Sequence, residues 1–249
     1  MDHSALDTLA QRLLNSSHTL IITGAGISAE SGISTFRGAG GYWNRYKAEE
    51  LASPQGFARD PELVWQWYND RREALRAASP NAAHKALPAL AKVLKSTTLV
   101  TQNVDGLHGK DLKAFKDYVE IHGNIWRVKC THSGKAWLHQ KPFTSLPPRC
   151  ACGQLLRPDV LWFGETYAQD AMHRALKAAR QADNVLVIGT SGLVWIVAGL
   201  LEQAMPEAYT AEFNLETTAL SDVVDISFLD KATRSLPALV EHLHTLKNC

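Results

Sequence analysis

A chain of 249 residues, 45% hydrophobic and 20% charged, has the size and composition of one large globular domain, or of a large one carrying a small inserted module. Its formal net charge of +1 gives no electrostatic reason to expect nucleic acid or an anionic membrane as partner. Four cysteines (130, 150, 152 and 249) are too few to staple a secreted scaffold of this size, and three cluster as metal ligands do, so a reducing, cytoplasmic setting is expected.

Along the chain, the mixed apolar and polar residues 1–17 predict an amphipathic helix, not a secretory leader. Leu20-Ile21-Ile22-Thr23 reads as a buried strand feeding a tight turn at Gly24-Ala25-Gly26. Residues 34–60 show no clear period, which is long for a structureless loop and suggests a functional one. Asp60-Pro61 supplies an N-cap and first turn for a helix on which Val64, Tyr68, Arg71 and Leu75 share a face. An arginine within that apolar stripe needs either a partner or a route to solvent.

Asn81 is placed to cap a helix across 82–94, followed by a strand at Thr98–Thr101. Residues 127–160 hold Cys130, Cys150 and Cys152 together with Pro142, Pro147 and Pro148, and read as a small inserted module. A helix is expected over 168–182, then a strand at Val185–Ile188. The charge-free run from Val185 to Leu201 approaches membrane-span length, but Gly189-Thr190-Ser191-Gly192 at its centre fits a strand–turn–helix better. A strand at Ala211–Asn214 and a closing helix from Lys231 to Leu246 complete the pattern.

Strands alternating with helices predict an α/β fold: a doubly wound, Rossmann-like parallel sheet with a smaller helical and zinc-type module inserted. The division this implies gives residues 1–36, 82–126 and 161–249 to the larger unit, and 37–81 with 127–160 to the smaller.

Gly24-Ala25-Gly26-Ile27-Ser28-Ala29 fits the permissive form of a dinucleotide fingerprint, in which the glycines allow a tight turn and close backbone approach to a pyrophosphate. The acidic residue that a hydride-transferring dehydrogenase would place some 20 residues on has no counterpart here, which disfavours that class. The longer run from Gly24 through Gly32-Ile33-Ser34-Thr35-Phe36-Arg37-Gly38 resembles the signature of the sirtuins. So do Thr101-Gln102-Asn103-Val104-Asp105-Gly106-Leu107-His108, Ile121-His122-Gly123, Trp162-Phe163-Gly164-Glu165, Gly189-Thr190-Ser191 and Asn214-Leu215-Glu216, in the family's order.

The resemblance implies an NAD-dependent protein-lysine deacylase that releases nicotinamide and O-acyl-ADP-ribose, with acylated-lysine proteins or peptides as substrates. His122 matches the family's general base, a role suited to an imidazole whose pKa lies near working pH. NAD as co-substrate would be held by Gly24, Ala25, Gly26, Ser28, Ala29, Glu30, Phe36, Arg37 and Trp43. Gln102, Asn103, Val104, Asp105, Gly189, Thr190 and Ser191 would continue that surface, with Asn214, Leu215, Glu216 and Ala232 at the adenosine end. Val160, Trp162 and Phe163 fall where the family pairs its substrate by strand addition. Tyr68-x-x-Arg71 and the small Ala52 resemble the class III sirtuins, which accept succinyl, malonyl or glutaryl lysine; a guanidinium takes a terminal carboxylate bidentately. Two other readings use the same pocket: a mono-ADP-ribosyltransferase, and a non-catalytic NAD or ADP-ribose sensor.

The family's structural zinc uses two CxxC pairs, and this chain departs from them. Ser133 stands at the second ligand position after Cys130, and Cys150-Ala151-Cys152 is tighter than CxxC. Three cysteines with His132 would make one site; Cys130 with Cys150 or Cys152, completed by water, would make a weaker one. Cys249 is read as a bystander.

Overall fold

The computed structural model describes residues 3–33, 48–109, 111–204 and 208–248, so Ser34, Phe36, Arg37, Trp43 and Cys249 lie outside the described residues. In chain order the elements are α1 (His3–Asn15), β1 (Thr19–Thr23), a 3-10 helix (Ala25–Ser31), α2 (Ala48–Leu51), α3 (Pro54–Arg59), α4 (Pro61–Arg76) and α5 (Ala82–Val93). They continue with β2 (Thr97–Thr101), β3 (Asp117–Glu120), β4 (Gly123–Cys130), β5 (Ala136–Leu138), β6 (Leu156–Val160) and α6 (Gln169–Gln181). The last are β7 (Asn184–Ile188), α7 (Trp195–Ala204), β8 (Tyr209–Asn214), β9 (Ile226–Leu229) and α8 (Ala232–Lys247).

Six strands form a parallel sheet in the order β3-β2-β1-β7-β8-β9. The chain builds outwards from β1 to β3, then returns to build β7 to β9 on the other side, so the order reverses between β1 and β7. Every residue of β1, β2 and β7 is buried, as expected for central strands covered on both faces. Alternate side chains feed two cores. Ile21, Leu99, Leu186, Ile188 and Phe213 pack with α1, α5 and α8, while Leu20, Ile22, Val100, Val185 and Val187 pack with α6 and α7. The doubly wound sheet expected from the sequence is what the chain forms. No described helix is long and apolar enough to cross a membrane, and the Val185–Leu201 run divides into β7, a glycine turn and α7.

A second, antiparallel sheet in the order β5-β4-β6 carries the cysteines. Its core is shared with α2, α3 and α4: Leu51, Phe57, Val64, Trp65 and Tyr68 pack against Ile125, Val128, Leu156 and Trp162. The later part of the segment read as aperiodic loop is helical. Ser53 caps α3 by accepting from the Gly56 amide at 3.0 Å, and Pro54 sits at its first turn, a local signal too short to show as periodicity.

On α4 the arginine most deeply sunk is Arg72, not Arg71. Arg72 is 2% exposed, with Nε donating to the Ile125 carbonyl at 2.8 Å and the guanidinium over the Trp65 ring at 5.2 Å. Arg71 is half-buried beside it. Neighbouring helix positions differ by about 100°, so Arg71 lies over the Trp67 ring while Arg72 turns into the second sheet.

Asp60 caps α4 by accepting from the Leu63 amide at 2.9 Å. Asp60→Ala is expected to cost about 1 kcal/mol of stability, read as a lower urea midpoint with an unchanged slope.

Candidate active site

The loops leaving β1 and β7 meet backbone to backbone. The Gly24 amide donates to the Ile188 carbonyl at 2.9 Å, and Gly26 to the Gly189 carbonyl at 2.7 Å. A Cβ on Gly26 would lie 2.7 Å from the Gly189 Cα, and one on Gly189, whose φ is +61°, would lie 2.4 Å from the Ile27 nitrogen. Only glycines allow this approach. It places the turn after β1 at the point where strand order reverses, the place where open α/β sheets bind ligands. The turn continues as a 3-10 helix, not the α-helix of the usual fingerprint.

The segment after β2 adds a layer of short polar side chains. Asn103 Nδ2 donates to the Gly24 carbonyl at 3.1 Å and to Ser28 Oγ at 3.2 Å. Ser28 donates to Asp105 Oδ2 at 2.8 Å, and the Leu107 amide to Asp105 Oδ1 at 2.8 Å. Burial raises the Asp105 pKa, while these two bonds and the charge of Arg71 oppose the rise. Gln102 Nε2 reaches Thr190 Oγ1 at 3.2 Å, and Asn214 Nδ2 donates to the Thr190 carbonyl at 2.8 Å. Val104 is half-buried, its carbonyl accepting from the Ile125 amide at 2.9 Å.

Ser28, Gln102, Asn103, Asp105, Gly189, Thr190 and Asn214 therefore form one connected surface. Ala25 and Ala29 lie on the 3-10 helix above it, and Ser191, Leu215 and Glu216 are exposed at its rim. Glu30 is turned to the start of α8, accepting from Lys231 Nζ at 2.9 Å and from Thr233, beside Ala232. Glu212, which the sequence reading passed over, is fully buried on β8 and accepts from the hydroxyls of Thr218, Ser221 and Ser227, which anchors the loop after Asn214.

His122 stands where the two sheets join. Its Nδ1 lies 2.8 Å from the Gln102 carbonyl, which can only accept, so Nδ1 carries the proton and Nε2 presents a lone pair. Its own carbonyl accepts from the Leu161 amide at 2.8 Å. Burial lowers the His122 pKa, partly offset by the Gln102 bond, so the ring is neutral near pH 7. A neutral imidazole held by one nitrogen is equipped to take a proton at the other.

On the far wall, Tyr68, Ala52, Trp162 and Phe163 come together. Trp162 Nε1 donates to the Tyr68 hydroxyl oxygen at 2.9 Å, and the Phe163 amide donates to the Ala52 carbonyl at 2.9 Å. Burial pushes the Tyr68 phenol up to about 12, so it keeps a proton to donate. Arg71 lies over the Trp67 ring at 5.0 Å and is near enough to Asp105 for each charge to shift the other's pKa. Val160 pairs with Gly123 across β6 and β4, and β6 is an edge strand of its sheet.

The Cys130, Cys150 and Cys152 sulfurs lie within 4.8 Å of one another, and Cys130 Sγ is 3.6 Å from Cys152 Sγ. A tetrahedral zinc ion with bonds of about 2.3 Å separates its sulfurs by about 3.8 Å, so the three thiols fit one ion. The His132 imidazole is not among the clustered donor atoms.

The Sir2 family model matches residues 24–195. A protein named NAD-dependent protein deacylase 2 from Pyrobaculum aerophilum is 45% identical over 237 residues, covering 94% of each chain. An NAD-dependent protein deacylase from Pyrococcus furiosus is 43% identical over 250 residues, 97% of this chain and 99% of its own. Among solved structures, a Sir2 homolog–NAD complex superposes with a TM-score of 0.88 at 40% identity, covering 99% of this chain and 95% of that one. A mutant Sir2 with a deacetylated p53 peptide and 3'-O-acetyl ADP ribose superposes with a TM-score of 0.82 at 27% identity, over 95% and 97% of the two chains.

Two further histidines, neither read as functional from the sequence, lie buried beneath the polar layer. His84 Nε2 is 3.3 Å from Ser28 Oγ, and His108 Nε2 is 3.0 Å from Thr23 Oγ1; their rings are 4.9 Å apart. Burial holds His84 down at about 4, and burial with the neighbouring His84 holds His108 at about 3. An unfolded histidine takes up its proton near pH 6.5. As pH falls below that value, the unfolded chain binds protons that the folded chain refuses, so stability is lost progressively down to about pH 3. Urea midpoints should fall between about pH 7.5 and about pH 5, and fall less in His108→Asn. Equal falls in both proteins would remove this histidine as a cause.

Proposed function

The chain belongs to the Sir2 family, and we propose that it is an NAD-dependent protein-lysine deacylase with His122 as general base and a preference for acidic acyl groups. The observation that carries the first part is the fixed tautomer of His122, whose Nδ1 is held by the carbonyl of Gln102, in the segment that also bears Asn103 and Asp105, and whose Nε2 keeps its lone pair. The names borne by the Pyrobaculum and Pyrococcus relatives support the same activity.

Bound NAD supplies an electrophilic ribose carbon with nicotinamide as its leaving group. In this reading Gly24, Ala25, Gly26 and Ala29 offer backbone to the pyrophosphate, with Phe36 and Arg37 joining from the segment beyond. Asn103, Asp105, Ser28 and Gln102 orient the ribose and carboxamide, and Thr190, Ser191, Asn214, Leu215 and Glu216 line the adenosine end. Glu30, Val104, Gly189, Ala232 and Trp43 complete that surface. His122 Nε2 takes the proton of a ribose hydroxyl once the acyl oxygen is in place. The substrate peptide adds as a strand beside β6 and the Val160–Phe163 segment, through main-chain hydrogen bonds that read little side-chain identity.

The acidic preference rests on Tyr68, Arg71 and Ala52. The Tyr68 oxygen already accepts from Trp162, which leaves its own O–H free of that bond to act as a donor. With the Arg71 guanidinium beside it, the pair suits a terminal carboxylate, and Ala52 leaves room for the chain that carries one. Acetyl-lysine, which is shorter, fits without touching Arg71. The free thiols suit a reducing, cytoplasmic setting.

The test is an incubation with NAD and paired acetyl- and succinyl-lysine peptides, followed by mass spectrometry. Nicotinamide and O-acyl-ADP-ribose should form from both peptides, with succinyl the better substrate. Absence of nicotinamide would refute an enzyme, and nicotinamide without peptide deacylation would favour ADP-ribosyl transfer. His122→Ala should lower kcat by about 100-fold or more. Arg71→Met should lower succinyl kcat/KM by about tenfold, roughly 1.4 kcal/mol, and leave acetyl turnover within a few-fold. Unchanged succinyl turnover in that variant would end the acidic-acyl reading.

A further inference from the structure

The cysteine cluster is built by two turns. In the first, the Gly134 amide donates to the Cys130 carbonyl at 3.0 Å, the Cys130 amide donates to the Lys135 carbonyl at 3.0 Å, and Gly134 has φ +69°. This knuckle turns the chain back within residues 131–134, and inside it the Ser133 hydroxyl oxygen accepts from the Lys135 amide at 3.4 Å. In the second, Gly153 donates to the Cys150 carbonyl and Cys150 to the Gln154 carbonyl, both at 2.8 Å. That turn brings Cys150 and Cys152 together although one residue separates them.

Three thiols thus offer three corners of a tetrahedron, and Ser133 stands in the knuckle three residues after Cys130, where a second cysteine of a pair would supply the fourth. A neutral hydroxyl is a poor ligand for zinc beside thiolates, and this one already accepts from the Lys135 amide. No imidazole or carboxylate among the described residues joins the cluster. Water has access, because Cys152 is exposed and Cys130 borders a cleft of about 260 Å³ shared with Phe57, Lys129, Arg157 and Trp162. Sites closed by four protein ligands are structural, whereas three protein ligands leave a position for exchange.

We propose that this cluster holds a zinc-type ion on Cys130, Cys150 and Cys152 with an exchangeable fourth position beside Ser133, open to an external imidazole or thiolate. The exposed Cys152 side gives such a donor an approach, and the β4–β6 register, which pairs Cys130 with Leu156, sets the cluster at one end of the proposed peptide-binding strand.

Cobalt(II) reports the ligand set directly. The full-length protein, stripped of metal and kept reduced with a phosphine instead of a thiol, is reconstituted with cobalt and its visible and near-ultraviolet spectra recorded. A tetrahedral d–d band is expected, with thiolate-to-cobalt charge transfer about three-quarters as intense as in Ser133→Cys, three sulfur bonds against four. Added imidazole should shift the d–d band of the natural protein and leave Ser133→Cys unmoved. A chelator should remove cobalt from the natural protein at least about tenfold faster. Ser133→Ala should keep the natural spectrum; loss of cobalt binding in it would make Ser133 a ligand and overturn the proposal. Absence of cobalt binding, or a spectrum indifferent to imidazole, would overturn it too. Should Ser133→Cys fail to fold, the imidazole titration of the natural protein decides alone.

Discussion

The backbone contact between Gly24, Gly26 and Gly189 is the constraint on which the remaining site geometry depends. Parallel neighbours in a sheet are about 4.8 Å apart, and their exit loops normally diverge. Here they touch, because neither loop carries a Cβ at the contact. The contact draws Thr190 towards Gln102 and Asn214 and sets the Gly24 carbonyl where Asn103 can reach it. Asn103 in turn positions Ser28, and Ser28 holds Asp105. Each polar group is fixed by the one before it, so the surface is preorganised instead of assembled by the ligand.

His122 belongs to both sheets. Its ring is tied to the segment after β2 and its carbonyl to the segment after β6. In the proposed function, a base fixed in this way would serve the nucleotide from the junction at which the peptide strand would be read.

Much of this was legible in the sequence, and the exceptions share a cause. β1, β2 and β7 are wholly buried parallel strands, so they appear as unbroken apolar runs. His122, Asn103 and Asp105 lie in motifs whose order along the chain is itself informative. Local pattern failed where a role depends on distant partners. His84 follows a helix cap and looks like an ordinary first-turn residue, yet it lies against Ser28, 56 positions away. Glu212 interrupts an apolar strand, and the hydroxyls that satisfy it come from the following loop and β9. Arg71 and Arg72 are indistinguishable by composition; which one is sunk depends on where Ile125 and Trp65 lie.

Helix α4 is bolted to the antiparallel sheet at three successive levels. Trp65 donates to the Leu156 carbonyl, Tyr68 accepts from Trp162, and Arg72 donates to the Ile125 carbonyl. The helix and strand to which the proposed function gives the acyl group and the peptide are therefore joined as one part. Under the proposed acidic-acyl reading, selectivity in this scaffold would be a cassette: grafting Tyr68 and Arg71 alone into a relative would transplant the side chains without the frame that holds them. The transferable unit is α4 with β4 and β6 attached.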